Sequence, residues 1–257
     1  MRAVVFAVGL ASACSRSAAP PKPAARATYA ACKSSLSADR LAEAEGCFSS
    51  LVDAAATPGE DPAQRANVLF ALASIRQERN DPKGSVAFAS RAAALRPDDA
   101  EAQSTFAGLA HDAGDRKAEA AALQSLIRLD PDALDRRLQL GGVLAASALG
   151  EEAKTQFLGY EDARVRLLGV LGRDPDAARR RAAARRLAAA IDAGTARALV
   201  LAMTDRDAGV RAAAVESVAS VGLDLDPEIK PALKKLAELE KDTDVKAALE
   251  RALTSVK

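Results

Sequence analysis

Three cysteines and a single histidine are the side chains of this 257-residue chain best suited to nucleophilic or metal chemistry: Cys14, Cys32, Cys47 and His111. A nucleophile needs a base within hydrogen-bond reach, and a structural zinc site commonly takes four ligands. His111 lies remote from the cysteines along the chain, and no recognisable serine or cysteine motif accompanies it. Glycine-rich phosphate loops and an HExxH motif are also absent. The sequence therefore predicts no enzyme, no metal site and no cofactor.

Pairs of aspartates in the second half are the remaining candidates for metal ligands. They are Asp174-Pro175-Asp176, Asp205-Arg206-Asp207 and Asp242-Thr243-Asp244, with spacings of 31 and 37 residues. Each pair precedes an Ala-rich segment, where an Asp side chain caps backbone N–H groups and favours the positive end of the helix. Capping, together with pairing to an Arg or Lys of a neighbouring unit, accounts for all three copies. We therefore predict a structural role for them.

A basic cluster lies at the start of the same half. Its members are Arg164, Arg166, Arg173, Arg179, Arg180, Arg181, Arg185 and Arg186. The net charge of the chain is only +1, and no stacking aromatics accompany the cluster. We predict an ion-paired, solvated helix face and no nucleic-acid binding. An acidic partner or an anionic envelope surface is the alternative.

The composition indicates the elements that must position these side chains. Apolar residues make up 49% of the chain, but aromatics only 3%, and much of the apolar fraction is alanine. Alanine has the highest helix propensity, and strand-type runs of Val, Ile, Thr and aromatics are missing. The sequence therefore predicts an all-α protein.

The first 26 residues are not expected to belong to the fold. Arg2 precedes a short apolar run, which ends in Leu10-Ala11-Ser12-Ala13-Cys14. This ending resembles the lipobox of bacterial lipoprotein signal peptides, which implies cleavage before Cys14 and attachment of lipid, including palmitate, to that cysteine. Ser15 resembles a signal for outer-membrane sorting. An ordinary secretory signal cut after Ala13 and a mis-assigned start are the alternatives.

If Cys14 is lipidated, Cys32 and Cys47 remain as a pair in an oxidising compartment. Residues 27–36 and 40–56 read as two helices joined by a bend, with Asp39 as the N-cap of the second. Each cysteine lies about two turns from the bend, so an antiparallel hairpin would bring them close together. The sequence predicts a disulfide. Two buried free thiols are the alternative.

A 34-residue period organises the middle of the chain. Pro97 and Pro131 close similar stretches, residues 66–97 and 100–131, and a third stretch runs from 134 to about 160. Turns are predicted at Asn80-Asp81 and Gly114-Asp115, and the third stretch carries Leu140, Gly141, Leu144, Gly150, Ala153 and Phe157. This pattern resembles tetratricopeptide (TPR) repeats, and the resemblance implies a right-handed α-α superhelix of stacked helix pairs. Residues 27–56 would form a divergent further unit.

The resemblance also implies peptide or protein binding on the concave face formed by the first helix of each repeat. The matching positions are Asn67, Phe70, Ser74, Gln77 and Glu78, then Glu101, Ser104, Gly108, His111 and Asp112, then Asp135, Leu138, Gly142, Ala145 and Ala146. This predicted groove lacks the Lys and Arg residues that would capture a carboxylate. A solvated face without a ligand is the alternative.

From about residue 163 the Asp-x-Asp pattern, followed by Val-Arg or Val-Lys and an Ala-rich helix, resembles HEAT-like repeats. We therefore expect a signal peptide at 1–13, a disordered tether at 14–26, TPR-like repeats at 27–162 and HEAT-like repeats at 163–257.

The expected function is that of a non-catalytic scaffold that binds a protein or peptide. We expect it in the bacterial cell envelope, held on the outer membrane by the lipid at Cys14 and facing the periplasm. A structural subunit of a multiprotein envelope assembly and a cytosolic adaptor with a mis-assigned start are the alternatives. The sequence does not indicate an oligomeric state.

Overall fold

The computed structural model describes residues 28–37, 40–54 and 61–254. Within these residues the chain forms helices and no strands, which confirms the all-α prediction. The helices are α1 (Tyr29–Ser37), α2 (Leu41–Ala54), α3 (Pro62–Glu78), α4 (Pro82–Ala94), α5 (Ala100–Asp112), α6 (Arg116–Leu129), α7 (Leu134–Ala146), α8 (Gly150–Arg173), α9 (Ala177–Leu187), α10 (Ala193–Ala202), α11 (Ala208–Val221), α12 (Ile229–Leu239) and α13 (Thr243–Thr254). The signal peptide, the tether, Cys14 and Asp39 lie outside the described residues.

Helices α3 to α8 form three hairpins that stack in chain order. Helix α3 pairs with α4, α5 with α6 and α7 with α8, while α4 packs on α5 and α6 on α7. Each hairpin thus buries its apolar face mainly against its neighbours along the chain, as expected of a solenoid. Small residues at Ala73, Ala107 and Gly141 permit close approach within the hairpins. A Cβ atom on Gly141 would lie 2.6 Å from Cε1 of Phe157 on α8.

The 34-residue period is also present in the backbone. Asn80, Gly114 and Ala148 have φ values of 56°, 67° and 59°, and they are the turn residues of the three hairpins. The next residue caps the second helix in two of them: Asp81 accepts from Gly84 N and Asp115 from Ala118 N. In the third hairpin Gly150 is the first residue of α8. The left-handed position falls on Ala148, and Leu149 supplies no side-chain cap.

Helix α8 belongs to both halves of the chain. Its first part buries Ala153 in the core of the 34-residue repeats, and its second part buries Ala163, Leu167 and Leu171 in the core of the second half. The expected change of pattern at residue 163 therefore falls inside one continuous helix of 24 residues, and no loop separates the two halves there.

The second half has two layers of helices. Helices α9, α11 and α13 pack side by side, and α8, α10 and α12 form the other layer. The core between them consists mainly of Ala, Val and Leu, including Leu187, Leu199, Val215 and Leu233. Leu134, at the start of α7, is also part of this core, so the last 34-residue hairpin is packed against the second half.

Within the described residues, no helix combines the length and the apolar character that crossing a bilayer would require.

Candidate ligand-binding groove

The first helices α3, α5 and α7 carry the positions predicted to line a groove; we call their exposed and half-buried surface the first-helix face. Asn67, Ser74, Gln77, Glu78, Glu101, His111, Asp112 and Leu138 are exposed, and Phe70 and Ser104 are half-buried. All ten candidate residues are therefore at least partly accessible to solvent. Whether they contact a ligand stays a prediction.

Two of these candidates stabilise the fold. Asn67 Oδ1 accepts from Nη2 of Arg96 at 3.0 Å, and the same nitrogen donates to Ala63 O at 2.7 Å. Phe70 packs against the buried core of the repeats. Arg96 thereby ties the start of α3 to the loop before α5, and Asn67 is already engaged within the protein.

Gln77 and Asp112 join neighbouring repeats at the carboxyl-terminal ends of α3 and α5. Nε2 of Gln77 donates to Oδ2 of Asp112 at 2.9 Å. Asp112 forms no ion pair with any described residue, and its side chain is exposed. The pair thus leaves one carboxylate oxygen and the amide oxygen of Gln77 available to an incoming donor.

His111 takes part in a different network one repeat further along the chain. Its Nδ1 lies 3.1 Å from Oε1 of Glu119, and Nε2 of Gln139 donates to the same oxygen at 2.8 Å. Glu119 is buried, with 5% of its side chain exposed. Glu119 was not predicted as a site residue from the sequence. The sequence did contain an indication: Glu119 is a charged residue at the position of the 34-residue repeat where the other two copies have Ser85 and Ala153.

A cleft of about 320 Å³ lies between the α3–α4 hairpin and the α5–α6 hairpin. We call it the Ser85 cleft. Its lining residues are Gln77, Asn80, Pro82, Ser85, Leu109, Asp112 and Ala113. Ser85 is 2% exposed, and its Oγ has no hydrogen-bond partner among the described residues. An unpaired buried hydroxyl is costly, so this atom is poised to bond with something that enters the cleft.

Apolar clefts lie along the layer of the second half that consists of α8, α10 and α12. One of about 350 Å³ lies between α10 and α12, beside the exposed side chains of Leu201 and Leu239. Another of about 360 Å³, between α8 and α10, also includes Leu201. The sequence analysis predicted neither cleft.

A ladder of ion pairs runs along the other layer of this half, which consists of α9, α11 and α13. Arg180 donates from Nε and Nη2 to the two carboxylate oxygens of Asp205, each at 2.8 Å. Arg211 makes the same paired contact with Glu240. Each Arg also donates to backbone carbonyls of the loop preceding its own helix, such as Asp174 O and Asp205 O. The predicted pairing of these basic residues with a neighbouring unit is thus present in the structure.

The ladder lowers the pKa values of its carboxyl groups. Hydrogen bonds from the Arg180 guanidinium lower the pKa of Asp205, against the effect of burial. The Arg211 guanidinium, helped by the N–H groups of Asp242 and Lys241, lowers the pKa of Glu240 from 4.5 to about 2. Both carboxylates are therefore fully ionised at neutral pH.

The sequence alignment of the third aspartate pair was wrong. Asp176 and Asp207 cap their helices, and the equivalent cap on α13 is Asp242, which accepts from Asp244 N and Val245 N. The ladder positions are Asp174, Asp205 and Glu240, so the spacings are 31 and 35 residues rather than 31 and 37. Glu240 was missed because the sequence pattern was defined by two aspartates, and the third repeat has glutamate at the first of these positions.

Most of the basic cluster is ion-paired, as the sequence predicted. Arg186 reaches Asp130 at 2.9 Å and Asp132 at 3.8 Å, and Arg166 reaches Asp132 at 2.7 Å. Arg164 contacts Glu161 and Asp192, and Arg179 lies near Asp174 and Asp176. These contacts include a bridge between α9 and the loop after α6, across the two halves of the chain.

Cys32 and Cys47 are joined in the structure by a disulfide, with an S–S distance of 2.04 Å and a Cα–Cα distance of 5.3 Å. The α1–α2 hairpin that they close packs on α3 through Phe48, and Glu45 pairs with Arg76 and Arg79. The redox state of the two cysteines in the cell stays a prediction.

Among the described residues, no group of three or more His, Cys, Asp or Glu side chains is arranged to hold a metal ion. The aspartates of the second half accept hydrogen bonds from N–H groups and arginines instead.

The family model for HEAT repeats matches residues 164–254, rather more than a third of the chain. The chain is a helical repeat protein. The matched residues run from the second part of α8 into the last helix, α13. No curated protein sequence matches the chain.

Some solved structures are similar to this repeat protein. One is described as YrrB, a TPR protein with an unusual peptide-binding site: it is 18% identical, with 59% of this chain and 69% of that chain covered and a TM-score of 0.38. Two structures of MamA are 14% identical, with 80% and 82% of this chain and 96% and 92% of theirs covered, and TM-scores of 0.38. Similarity at this level indicates neither a shared ligand nor a shared partner.

Proposed function

We propose that this repeat protein is a non-catalytic scaffold whose first-helix face binds a protein or peptide. The observation that carries the proposal is the Ser85 cleft, which opens between two stacked hairpins and contains an unpaired buried hydroxyl. Stacked hairpins present a continuous surface to which each repeat adds a few side chains, and such surfaces suit extended ligands.

The proposal includes a location in the bacterial cell envelope. The supporting observation is the sequence that ends in Cys14, together with the Cys32–Cys47 disulfide, which suits an oxidising compartment. A lipid at Cys14, with two or more acyl chains, would hold the scaffold stably on a membrane surface. Within this proposal the repeats face the periplasm from the outer membrane.

Site-specific photocrosslinking in living cells tests the binding role. A photoreactive amino acid is placed at Glu101 on α5, which is exposed on the first-helix face. The matched control position is Gln124 on α6, which is also exposed but belongs to a second helix. We expect a defined crosslinked protein from position 101 and none from position 124.

The crosslinked products also distinguish an adaptor scaffold from the alternative, a structural subunit of a multiprotein assembly. Several partners of variable amount indicate an adaptor, whereas one partner in fixed stoichiometry indicates a structural subunit of an assembly. Equal crosslinking from positions 101 and 124, or none from position 101, would contradict binding on the first-helix face.

A further inference from the structure

The Ser85 cleft differs from the corresponding place one repeat later, and the difference explains why it is open. The residues 34 positions later in the chain differ: Arg116 is equivalent to Pro82, Glu119 to Ser85 and Ala146 to Asp112. At the later interface Arg116 donates to Ala146 O at 2.8 Å, and Glu119 is held by Gln139 and His111. Long side chains of the protein itself therefore satisfy one another there.

At the earlier interface, the short side chains of Pro82 and Ser85 leave this space empty. The acidic group is instead Asp112, on the opposite wall of the cleft. A carboxylate, two amide groups and a buried hydroxyl thus line the cleft, and no arginine or lysine lines it.

The chemistry of the lining selects the class of ligand. Asp112 accepts hydrogen bonds only, and the Gln77 amide, which uses one of its two N–H groups on Asp112, keeps its oxygen as an acceptor. Ser85 Oγ can also accept. The positive end of α4, which could attract an anion, is capped by Asp81. A cation with several N–H donors therefore matches the site, and an anion does not.

The apolar lining fits the rest of such a ligand. Leu109, Ala113 and Pro82 provide apolar surface beside the polar atoms. A lysine side chain combines an aliphatic stem with an ammonium group that has three donors and no acceptor. We propose that the Ser85 cleft binds a lysine side chain of the partner, with its ammonium group on Asp112 and Ser85. This inference rests on the proposed binding role of the first-helix face.

The inference can be tested on the full chain without knowing the partner. The probe is n-butylammonium, which reproduces the end of a lysine side chain, and 1-butanol and butyrate are the uncharged and anionic counterparts. Backbone amide resonances of Ser85 and Ala113 are followed by NMR during titration. We expect saturable shifts with n-butylammonium and no saturable shift with the other two probes.

Three variants locate the effect. D112N removes the charge and should weaken the response about tenfold, because a hydrogen bond to a charged group is lost. S85Q installs a side chain of the length found one repeat later without adding a charge, and should abolish the response by filling the cleft. D98N removes an exposed carboxylate from the loop before α5, outside the predicted groove positions, and should leave the affinity within about twofold of the wild type.

Equal shifts with 1-butanol, stronger binding of butyrate, no shift with any probe, or unchanged binding in D112N would each overturn the inference. Helical circular dichroism is checked for every variant, and D112N, which changes an exposed side chain, keeps the test decisive if S85Q does not fold. A failed titration with successful crosslinking at position 101 refutes the lysine site alone. The reverse result refutes the role of the first-helix face in binding a protein.

Discussion

Arg211 and Glu240 face each other across two repeats of the second half, with Nε–Oε2 at 2.7 Å and Nη2–Oε1 at 2.9 Å. Arg211 also donates to Asp205 O, and Asp205 in turn accepts from Arg180. The contacts therefore form a chain that runs from one repeat to the next. Because each Arg holds both its own loop and the acid of the following repeat, we expect the ladder to fix the stacking of these repeats.

The Glu240→Gln variant should lose stability in a pH-dependent way. The pKa of Glu240 is lowered to about 2 in the folded protein, so its ionised form favours folding, and this contribution is lost as the pH falls from 4.5 toward 2. At pH 7 we expect the variant to lose about 1.5–3 kcal/mol of unfolding free energy in urea. The difference from the wild type should shrink as the pH is lowered through this range.

The control for Glu240→Gln is Glu238→Gln, which removes an exposed carboxylate from the last turn of α12, two residues earlier in the chain. We expect the control to change the unfolding free energy by less than about 0.5 kcal/mol. A Glu240→Gln penalty that stayed constant from pH 7 to pH 3 would contradict the role of the ion pair.

Replacing Ala148 by glycine should stabilise the protein. Ala148 has a φ of 59°, and an L-residue with a Cβ pays about 1–2 kcal/mol in this region, from which glycine is exempt. Because glycine also has a more flexible unfolded state, we expect a net gain of about 0.5–1 kcal/mol in urea unfolding. Ala145→Gly, in the helix just before the turn, should instead destabilise by a similar amount. The turn assignment fails if both variants lose stability.

The Cys32–Cys47 disulfide should protect both thiols from alkylation in protein purified without reductant. In the chain-entropy model a link across 15 residues stabilises by about 3 kcal/mol, so we expect the double Cys→Ala variant to unfold at lower urea concentration. Mass spectrometry after treatment with iodoacetamide measures the first effect. Modification of both cysteines in folded, unreduced protein would show that they are free thiols.

The contact between the two halves should depend on the apolar core rather than on surface charge. Leu134 of α7 is buried in the core of the second half, so Leu134→Ala should cost about 2–5 kcal/mol. Arg186→Ala removes a solvent-exposed pair with Asp130 and should cost less than about 1 kcal/mol. Urea unfolding of both variants compares the contribution of the apolar core with that of the surface ion pair. A larger loss of unfolding free energy for Arg186→Ala would contradict this prediction.

Lipid attachment is tested by metabolic labelling with radioactive palmitate. We expect the wild type to incorporate the label and the Cys14→Ser variant to remain unlabelled, because the thiol that carries the lipid is missing. Membrane fractionation of the same cultures should move the variant to the soluble fraction. Equal labelling of both proteins would refute the lipoprotein assignment.

The sequence by itself determined the fold class and the repeat plan. Alanine-rich composition, the absence of strand-type runs and the 34-residue period depend on local propensity and on periodicity, and both are properties of the linear chain. The same holds for caps such as Asp81 and Asp207, since the capping atom and its N–H partner lie within three residues of each other.

Tertiary structure decided which of these side chains became free to bind. Gln77 and Asp112 are 35 residues apart in the chain and meet only because two hairpins stack. Likewise, the Ser85 cleft exists because Pro82 and Ser85 are too short to fill the space that Arg116 and Glu119 fill one repeat later. A single sequence reveals period positions, but the volume left between two packed helices depends on side chains from both of them.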